Sequence, residues 1–384
     1  MTFSLYVHIP WCRAKCPYCD FNSHAAAAWP EDAYVGALIA EMGARAANPA
    51  WAGATIATVF FGGGTPSLFD PRSIGRILAA AARQFGLDAD AEITLEANPG
   101  TVDLPKLAGF RAAGVNRVSF GAQSFDPATL RFLGRIHGPE ETRAAVHAAH
   151  RAGFDRLNLD LIFAVPGQSV ADVMRDLDAV CALEPDHVSA YNLTFEEGTA
   201  FFTEMRRGRI RPLPSDDQAA MYAAVREELP QRGYAMYEIS NYANPGHESR
   251  HNLTYWRAES YLGIGAGAHS FARDLASPGG RRWWNERMPA KYLAAVQTNG
   301  LAEVGAETID ARVAAGEFVF LNLRLRAGFS IDQFKHRFNR PIEEFFGAGL
   351  DRLIGDGLLS RDDDRLRLTD RGLELADSVF AEFV

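Results

Sequence analysis

The sequence predicts an α/β protein: a barrel built from six βα units, followed by a smaller α+β unit of winged-helix-like character. Three observations carry this. Six runs rich in β-branched and aromatic residues, each closed by turn residues, recur through the first half of the chain. Amphipathic segments of helical length separate them. The pattern then changes near residue 311, where helical stretches surround a short hairpin-like pair of strands.

The elements follow in order. "LYVHIP" (5–10), "TVFFGGG" (58–64), "EITLEAN" (92–98), "RVSFGAQ" (117–123), "RLNLDLIFAVPG" (156–167) and "HVSAYNLT" (187–194) read as strands. "PEETRAAVHAAHRAG" (139–153) reads as a helix, with Pro139 at its start, Glu140 and Glu141 in its first turn and Gly153 as its stop. "DVMRDLDAVCAL" (172–183) behaves likewise. Strands alternating with helices imply parallel βα units. The organisation predicted is a barrel over residues 1–205, a connector over 206–310 and a C-terminal unit over 311–384.

Composition sets the class. With 384 residues, 47% hydrophobic and 23% charged, the chain can bury large cores. A net charge of −9 argues against a general nucleic-acid binder. Acids also interleave the basic residues of "SRDDDRLRLTDRG" in the tail, so no phosphate-tracking stripe forms there. That unit reads as a lid or docking domain for the barrel. No apolar run approaches the length that spans a bilayer, and the N-terminus opens on a strand rather than a secretory signal. The expected setting is the reducing cytoplasm, where structural disulfides are rare. The Asn192 and Asn252 N-x-T matches are then chance.

Three of the four cysteines, Cys12, Cys16 and Cys19, fall within eight residues of "WCRAKCPYCDF". Structural cysteines have no reason to cluster, and a disulfide leaves one thiol over. A zinc site usually takes four ligands, commonly from paired C-x2-C units, and no second pair exists. Three thiolates on one loop suit a 4Fe-4S cluster with one iron left open. Cys181, in the apolar "LDAVCALEP", reads as a small core residue.

A barrel carries its chemistry at the C-terminal ends of its strands. The cysteine loop follows the first predicted strand and "GGGTP" (62–66) the second. Glu96 and Asn98 close the third and Gln123 the fourth. Asp160, opposite Leu157, Leu159 and Leu161, faces the barrel interior. Glycines at 62–64 allow a backbone to approach a ligand closely, Glu96 suits ribose hydroxyls, and Arg135 in "LGRIHG" suits a ligand carboxylate. "GIGAGAHS" (263–270) has the wrong spacing for a dinucleotide fingerprint and reads as another close backbone approach.

The cysteine spacing, with Tyr18 before the last thiol, resembles that of the radical S-adenosylmethionine superfamily. "LYVHIPWC", "CPYCDFNSH", "FFGGGTPS", "EANPG", "SFGAQSF", "LDLIFAVPGQ", "HNLTYW" and "YLGIGAGAHSF" extend the resemblance nearly end to end, to the HemN/HemW branch. It implies a partial (β/α)6 radical-SAM barrel with a distinct C-terminal domain, a 4Fe-4S cluster on Cys12, Cys16 and Cys19, and S-adenosylmethionine contacted by Tyr6, Gly63, Gly64, Thr65, Glu96, Gln123, Arg135 and Asp160. Two activities divide the branch. One is radical oxidative decarboxylation of coproporphyrinogen III, whose members usually have a further cysteine where this chain has Phe21. The other is haem trafficking, which the phenylalanine and the HNxxYW motif favour.

That motif spans His251 to Trp256. A neutral imidazole is a good axial ligand for haem iron, and Tyr255 and Trp256 offer flat faces to a porphyrin. Read without the resemblance, His251 is a packed loop histidine beside core aromatics. His247 and His251 have i, i+4 spacing, but "NPG" just before them speaks against a regular helix and a zinc pair there. The partners implied are haem and haem-accepting clients, including respiratory proteins at the inner face of a membrane; a homodimer is compatible with the resemblance.

The cluster assignment has a direct check. Cys181→Ser, reconstituted anaerobically, is expected to keep its iron content and visible absorbance, while Cys16→Ser loses both. The reverse pattern would refute the assignment.

Overall fold

The computed structural model describes residues 2–274 and 276–384. Six parallel strands form the barrel wall: β1 (Thr2–Ile9), β2 (Thr55–Gly63), β3 (Leu87–Ala97), β4 (Arg117–Gln123), β5 (Leu157–Phe163) and β6 (His187–Asn192). Helices α1 (Glu31–Ala46), α2 (Pro71–Phe85), α3 (Leu104–Ala112), α4 (Pro139–Arg151), α5 (Val170–Cys181) and α6 (Ser215–Gln231) run alongside. Local chemistry starts several of them. Asp70, Asp103 and Ser169 accept N–H bonds from Arg72, Lys106 and Asp172 at their helix N-termini.

Strand alternation decides what lies on each side. Leu5, Val7, Val59, Phe61, Leu95, Val118, Phe120, Leu157, Leu159 and Val188 face outward. They merge with Leu38, Ile77, Phe110, Val146, Leu177 and Val225 of the helices into one core. The opposite faces carry Ser4, Tyr6, Thr58, Glu92, Glu96, Arg117, Ser119, Asn158, Asp160, His187 and Ser189. Ladder neighbours keep these in layers: Tyr6 is level with Phe60, Glu96 with Ser119 and Asp160 with Ser189. The hydrophobic seam is therefore between strands and helices, and the lumen is polar.

The wall is open, and its sheet continues on both edges. Beyond β6 lie β7 (Ala235–Glu238) and β8 (Asn241–Ala243). Beyond β1 lie β9 (Tyr261–Ile264), parallel to it, then β10 (His269–Arg273), β11 (Gly280–Asn285) and β12 (Glu303–Ile309), antiparallel in turn. The sheet reads β12-β11-β10-β9-β1-β2-β3-β4-β5-β6-β8-β7.

A short helix, α7 (Arg250–Trp256), occupies the lumen. Ser249 caps it, accepting from the Asn252 N–H. The buried Glu92 carboxylate accepts the N–H groups of Arg250 and His251 at 3.2 and 3.0 Å. A carboxylate at a helix N-terminus both satisfies free donors and complements the dipole. The helix begins after His247, which lies instead 3.3 Å from Asp186, so His247 and His251 share no helical face.

The C-terminal unit contains α8 (Ala311–Leu323), α9 (Ile331–Phe338), α10 (Glu343–Gly355) and a three-stranded antiparallel sheet of β13 (Phe329–Ser330), β14 (Leu359–Asp362) and β15 (Arg365–Leu368). Its core holds Phe318, Phe329, Phe334, Phe338 and Val379, and takes in Ala258, Phe271 and Ile309 from the barrel side. Arg226 and Arg326 both reach Asp370, at 3.0 and 2.8 Å. Among the described residues no helix is long and apolar enough to cross a membrane.

Phe318 touches Phe329, Phe334 and Phe338 edge-on, with centroids 5.2 to 5.8 Å away. Phe318→Ala is expected to cost about 3–5 kcal/mol of stability in urea denaturation. A loss below about 1 kcal/mol would mean that this core can collapse around the missing ring.

Candidate metal and cofactor site

Cys12, Cys16 and Cys19 line one cleft of about 160 Å³ together with Gly63, Gly64, Thr65, Glu96, Gln123, Arg135 and Asp160; Cys181 is not among its walls. Of the residues expected to contact S-adenosylmethionine, only Tyr6 lies outside this cleft. Tyr6 lines an adjoining cavity of about 560 Å³ that shares Phe21, Gly63 and Glu96 with it.

Each cysteine leans on a different part of the fold. Thr65 Oγ1 donates to Cys12 Sγ at 3.3 Å, Arg135 Nη1 to Cys16 Sγ at 3.4 Å, and Ser23 Oγ lies 3.8 Å from Cys19 Sγ. Burial pushes the Cys12 and Cys19 thiols up. Among the described residues no three such side chains converge closely enough for a single metal ion. Spread thiols on one short loop fit a multi-iron cluster, in which each cysteine meets its own iron.

The loop is held from several sides. Gly64 N–H donates to Ile9 C=O at 2.7 Å and Thr65 N–H to Trp11 C=O at 2.8 Å. A Cβ on Gly64 would lie 2.5 Å from that Trp11 oxygen, and one on Gly63, at φ +110°, would lie 2.4 Å from the His8 ring. These glycines are needed because the cluster loop itself crosses here. Lys15 Nζ donates to the Phe21 and Ser23 carbonyls, and Asn22 Nδ2 to those of Ala266 and Arg287, which docks the loop on the "GIGAGAHS" segment. His8 completes the clamp. Burial lowers its pKa to about 4, so it is neutral. Its Nε2–H donates to the Asn22 carbonyl at 2.9 Å, and its Nδ1 accepts from the Tyr6 hydroxyl at 3.0 Å.

The cleft has unspent polar groups. Gln123 ends β4 in a left-handed conformation, φ 68°, and its Oε1 is buried without a partner. Strain at such a position belongs to functional sites more than to ordinary strand ends. Arg135 Nη2 donates to Gly121 C=O at 2.8 Å, which aims the guanidinium along the cleft. Asp160 accepts from Asn158 at 2.7 Å and Ser119 at 3.4 Å, and burial raises its pKa. Burial first, then the Asp160 charge, pushes Glu96 up to about 8, against the pull of the Gly63 N–H.

Of the HNxxYW residues, His251 and Tyr255 meet and Trp256 stands apart. His251 is 1% exposed, stacked on Phe60 at 5.1 Å. Its Nδ1 meets Thr58 Oγ1 at 2.7 Å and its Nε2 meets the Tyr255 hydroxyl at 2.9 Å. The tautomer follows from the chain beyond. Thr58 donates to Ser4, which lies against Thr254, and Thr254 donates to Arg250 C=O. Thr58 must then accept from Nδ1–H, so Nε2 carries the lone pair and Tyr255 caps it. Burial, aided by the Arg117 charge, lowers the His251 pKa to about 3. Trp256 points elsewhere, beneath the Arg324 guanidinium at 4.4 Å.

With the geometry in view, similarity to known proteins can be read onto it. Residues 6–180 match the Radical SAM superfamily model and residues 309–375 the HemN C-terminal domain. Fold and cleft together define a radical S-adenosylmethionine protein with a HemN-type C-terminal domain. The chain is 36% identical to heme chaperone HemW of Lactococcus lactis, covering 99% of this chain and 97% of that one. Against heme chaperone HemW of Escherichia coli it is 37% identical, covering 99% and 98%. It is 36% identical to the mitochondrial radical S-adenosyl methionine domain-containing protein 1 of Mus musculus, over 98% of this chain and 86% of that one. The chain belongs to the HemW family. Among solved structures it is similar to coproporphyrinogen III oxidase (HemN) of Escherichia coli, with TM-score 0.85 and 25% identity, covering 100% of this chain and 90% of that chain.

The radical SAM fold implies a 4Fe-4S cluster and S-adenosylmethionine, and the cleft's spread thiols and orphan Gln123 oxygen fit that pair. Sequence reading missed Asn22, on the cysteine loop, and His8, Arg117, Asn158 and His187 on the strands. For the four strand residues the signal is the polar member of each strand's alternation, which it used only for Asp160.

Glu96 gives a pH test. Its folded pKa lies above its ordinary value of 4.5, so the folded state binds the proton more tightly. Its contribution to stability therefore falls as pH rises from about 4.5 to about 8. Glu96→Gln removes that loss. In ligand-free protein, the melting temperature of the variant relative to wild type is expected to rise between about pH 5 and about pH 8. A difference constant with pH would show that Glu96 titrates normally.

Proposed function

We propose that this protein is a haem chaperone: it takes up haem and hands it to haem-requiring proteins. The observation that carries the reading is near full-length similarity, at 36% and 37% identity, to two proteins named heme chaperone HemW. Phe21, where coproporphyrinogen dehydrogenases usually carry cysteine, supports it. In this reading Cys12, Cys16 and Cys19 hold the 4Fe-4S cluster, with S-adenosylmethionine against Gly63, Gly64, Thr65, Glu96, Gln123, Arg135 and Asp160, and Tyr6 at its edge. When bound, that pair supplies the superfamily's one-electron chemistry. The clients are respiratory proteins, and the chain works in the cytoplasm, reaching the inner membrane face when its client is there.

His251 is the proposed axial ligand. It is neutral, and its Nε2 lone pair is the free valence of the ring. Haem reaches that atom only when the Tyr255 hydroxyl withdraws and α7 shifts, so uptake is coupled to opening of the lumen. Trp256 and Tyr255 then flank the porphyrin from separate sides of the helix. The TM-score of 0.85 to the Escherichia coli coproporphyrinogen III oxidase favours a second reading, oxidative decarboxylation of coproporphyrinogen III.

Anaerobic assays of reconstituted protein separate the two. Haem binding with no consumption of coproporphyrinogen III is expected; steady consumption would restore the second reading. His251→Ala should shift the haem absorption bands and weaken transfer while the cluster stays intact. Tyr255→Phe, which uncaps Nε2, should take up haem more readily. Unchanged bands in His251→Ala would move the axial ligand elsewhere.

A further inference from the structure

Arg117 is the one cation that projects into the barrel lumen from the strand wall among the described residues. It stands on β4, is 4% exposed, and lines a cavity of about 600 Å³. Asn158, His187, Ser189, Tyr191 and Asn252 share that cavity, which Cys19, Phe21 and Arg324 also line. Among the described residues no side-chain hydrogen bond or ion pair uses Arg117. Its neighbours are spoken for. Asp160 bonds to Asn158 and Ser119, Glu92 to the N-terminus of α7, and Asn158 to His187 at 2.6 Å.

A buried guanidinium with five donors and no acceptor is costly. Folded proteins pair such groups, or keep them for a ligand that supplies the acceptor. The ligand that such a guanidinium calls for is an anion. Burial and the Arg117 charge hold His187 well below its ordinary pKa, so it adds no charge of its own. Glu96 and Asp160 share the cavity wall, and the Arg117 charge reaches Asp160, but neither carboxylate forms an ion pair with it: Glu96 accepts from the Gly63 N–H and Asp160 from Asn158 and Ser119. A carboxylate matches a guanidinium fork, with two parallel N–H···O bonds.

We propose that Arg117 is the lumen's carboxylate receptor, and that a propionate of haem is the acid it takes. The identity of the ligand rests on the haem-chaperone reading; the receptor is read from the wall of the lumen. Arg117 and His251 lie in the same lumen, so one flat ligand can meet a charge at its acid edge and an imidazole at its metal. Asn252, on the same helix as His251 and on the cavity wall, supplies a further polar contact beside it.

The test measures anaerobic binding of haem and of haem dimethyl ester, which lacks the acids, to full-length wild type and to Arg117→Met. Haem should bind the variant roughly 10- to 100-fold more weakly, as loss of a charged hydrogen-bonded pair does. The ester should bind both proteins equally and as weakly as haem binds the variant. A melting curve of ligand-free protein guards against a folding defect. Removing an unpaired buried charge should leave the variant no less stable than wild type. A clear fall would make Arg117 structural and overturn the proposal. Equal haem affinity in both proteins would overturn it while leaving the chaperone reading intact. Succinate that stabilises wild type alone, with haem affinity unchanged, would assign the receptor to a free acid and overturn the haem identity. No haem binding by wild type would overturn the functional reading and this assignment with it.

Discussion

The alternation of polar and apolar side chains along β1 to β6 is the constraint on which the rest of the structure depends. Helices cover the outward faces, so those faces must be apolar, and burial of the residues around Val7, Phe61, Leu95, Phe120 and Leu159 supplies the main drive to fold. The inward faces are then free to be polar, and they hold the chemistry. A register slip of one residue on any strand would carry Glu92, Arg117 or Asp160 into the helix layer and an aliphatic side chain into the lumen. Core and site are thus fixed by the same ladder.

That ladder also places the cluster loop. β1 ends at Ile9 and β2 at Gly63, side by side, so the chain leaving β1 crosses the turn leaving β2. The two backbones bond directly through Gly64 and Thr65, and the missing side chains at 63 and 64 are what permit the contact. His8 and Asn22 tie the other side of the loop to β1 and to the segment after β9. Anchoring a thiol-bearing loop on three sides lowers the ordering cost of binding a cluster.

Helix α7 is the counterpart on the lumen side. Glu92 anchors its N-terminus, while the chain from His251 through Thr58, Ser4 and Thr254 to Arg250 returns to the helix it started from. This closed circuit satisfies every hydroxyl in it and fixes one tautomer of the imidazole. The result is a ligand-type nitrogen held neutral and covered by a single hydroxyl. The C-terminal unit sits beside this helix, since Arg324 stacks on Trp256 and Arg337 donates to Ala258 C=O.

By itself the sequence determined the six barrel strands, the helices over 139–151 and 170–181 and the cysteine loop. All six barrel strands lie where β-branched runs end in turn residues, the helix over 139–151 starts and stops at Pro139 and Gly153, and three thiols within eight residues need no fold to converge. These are local features, set by propensity, caps and spacing along a few residues. Only the tertiary structure decided that His251 and Trp256 point apart, that the glycines at 63 and 64 answer to β1 and the chain's own loop, and that Arg117 has no side-chain hydrogen bond or ion pair among the described residues. Each depends on groups distant in sequence: Thr58 and His251 are 193 residues apart, and Asn22 and Arg287 are 265 apart. Pattern within one strand shows which residues share a face. Which groups meet across a barrel depends on how every strand and helix packs against the others, and no local stretch contains that.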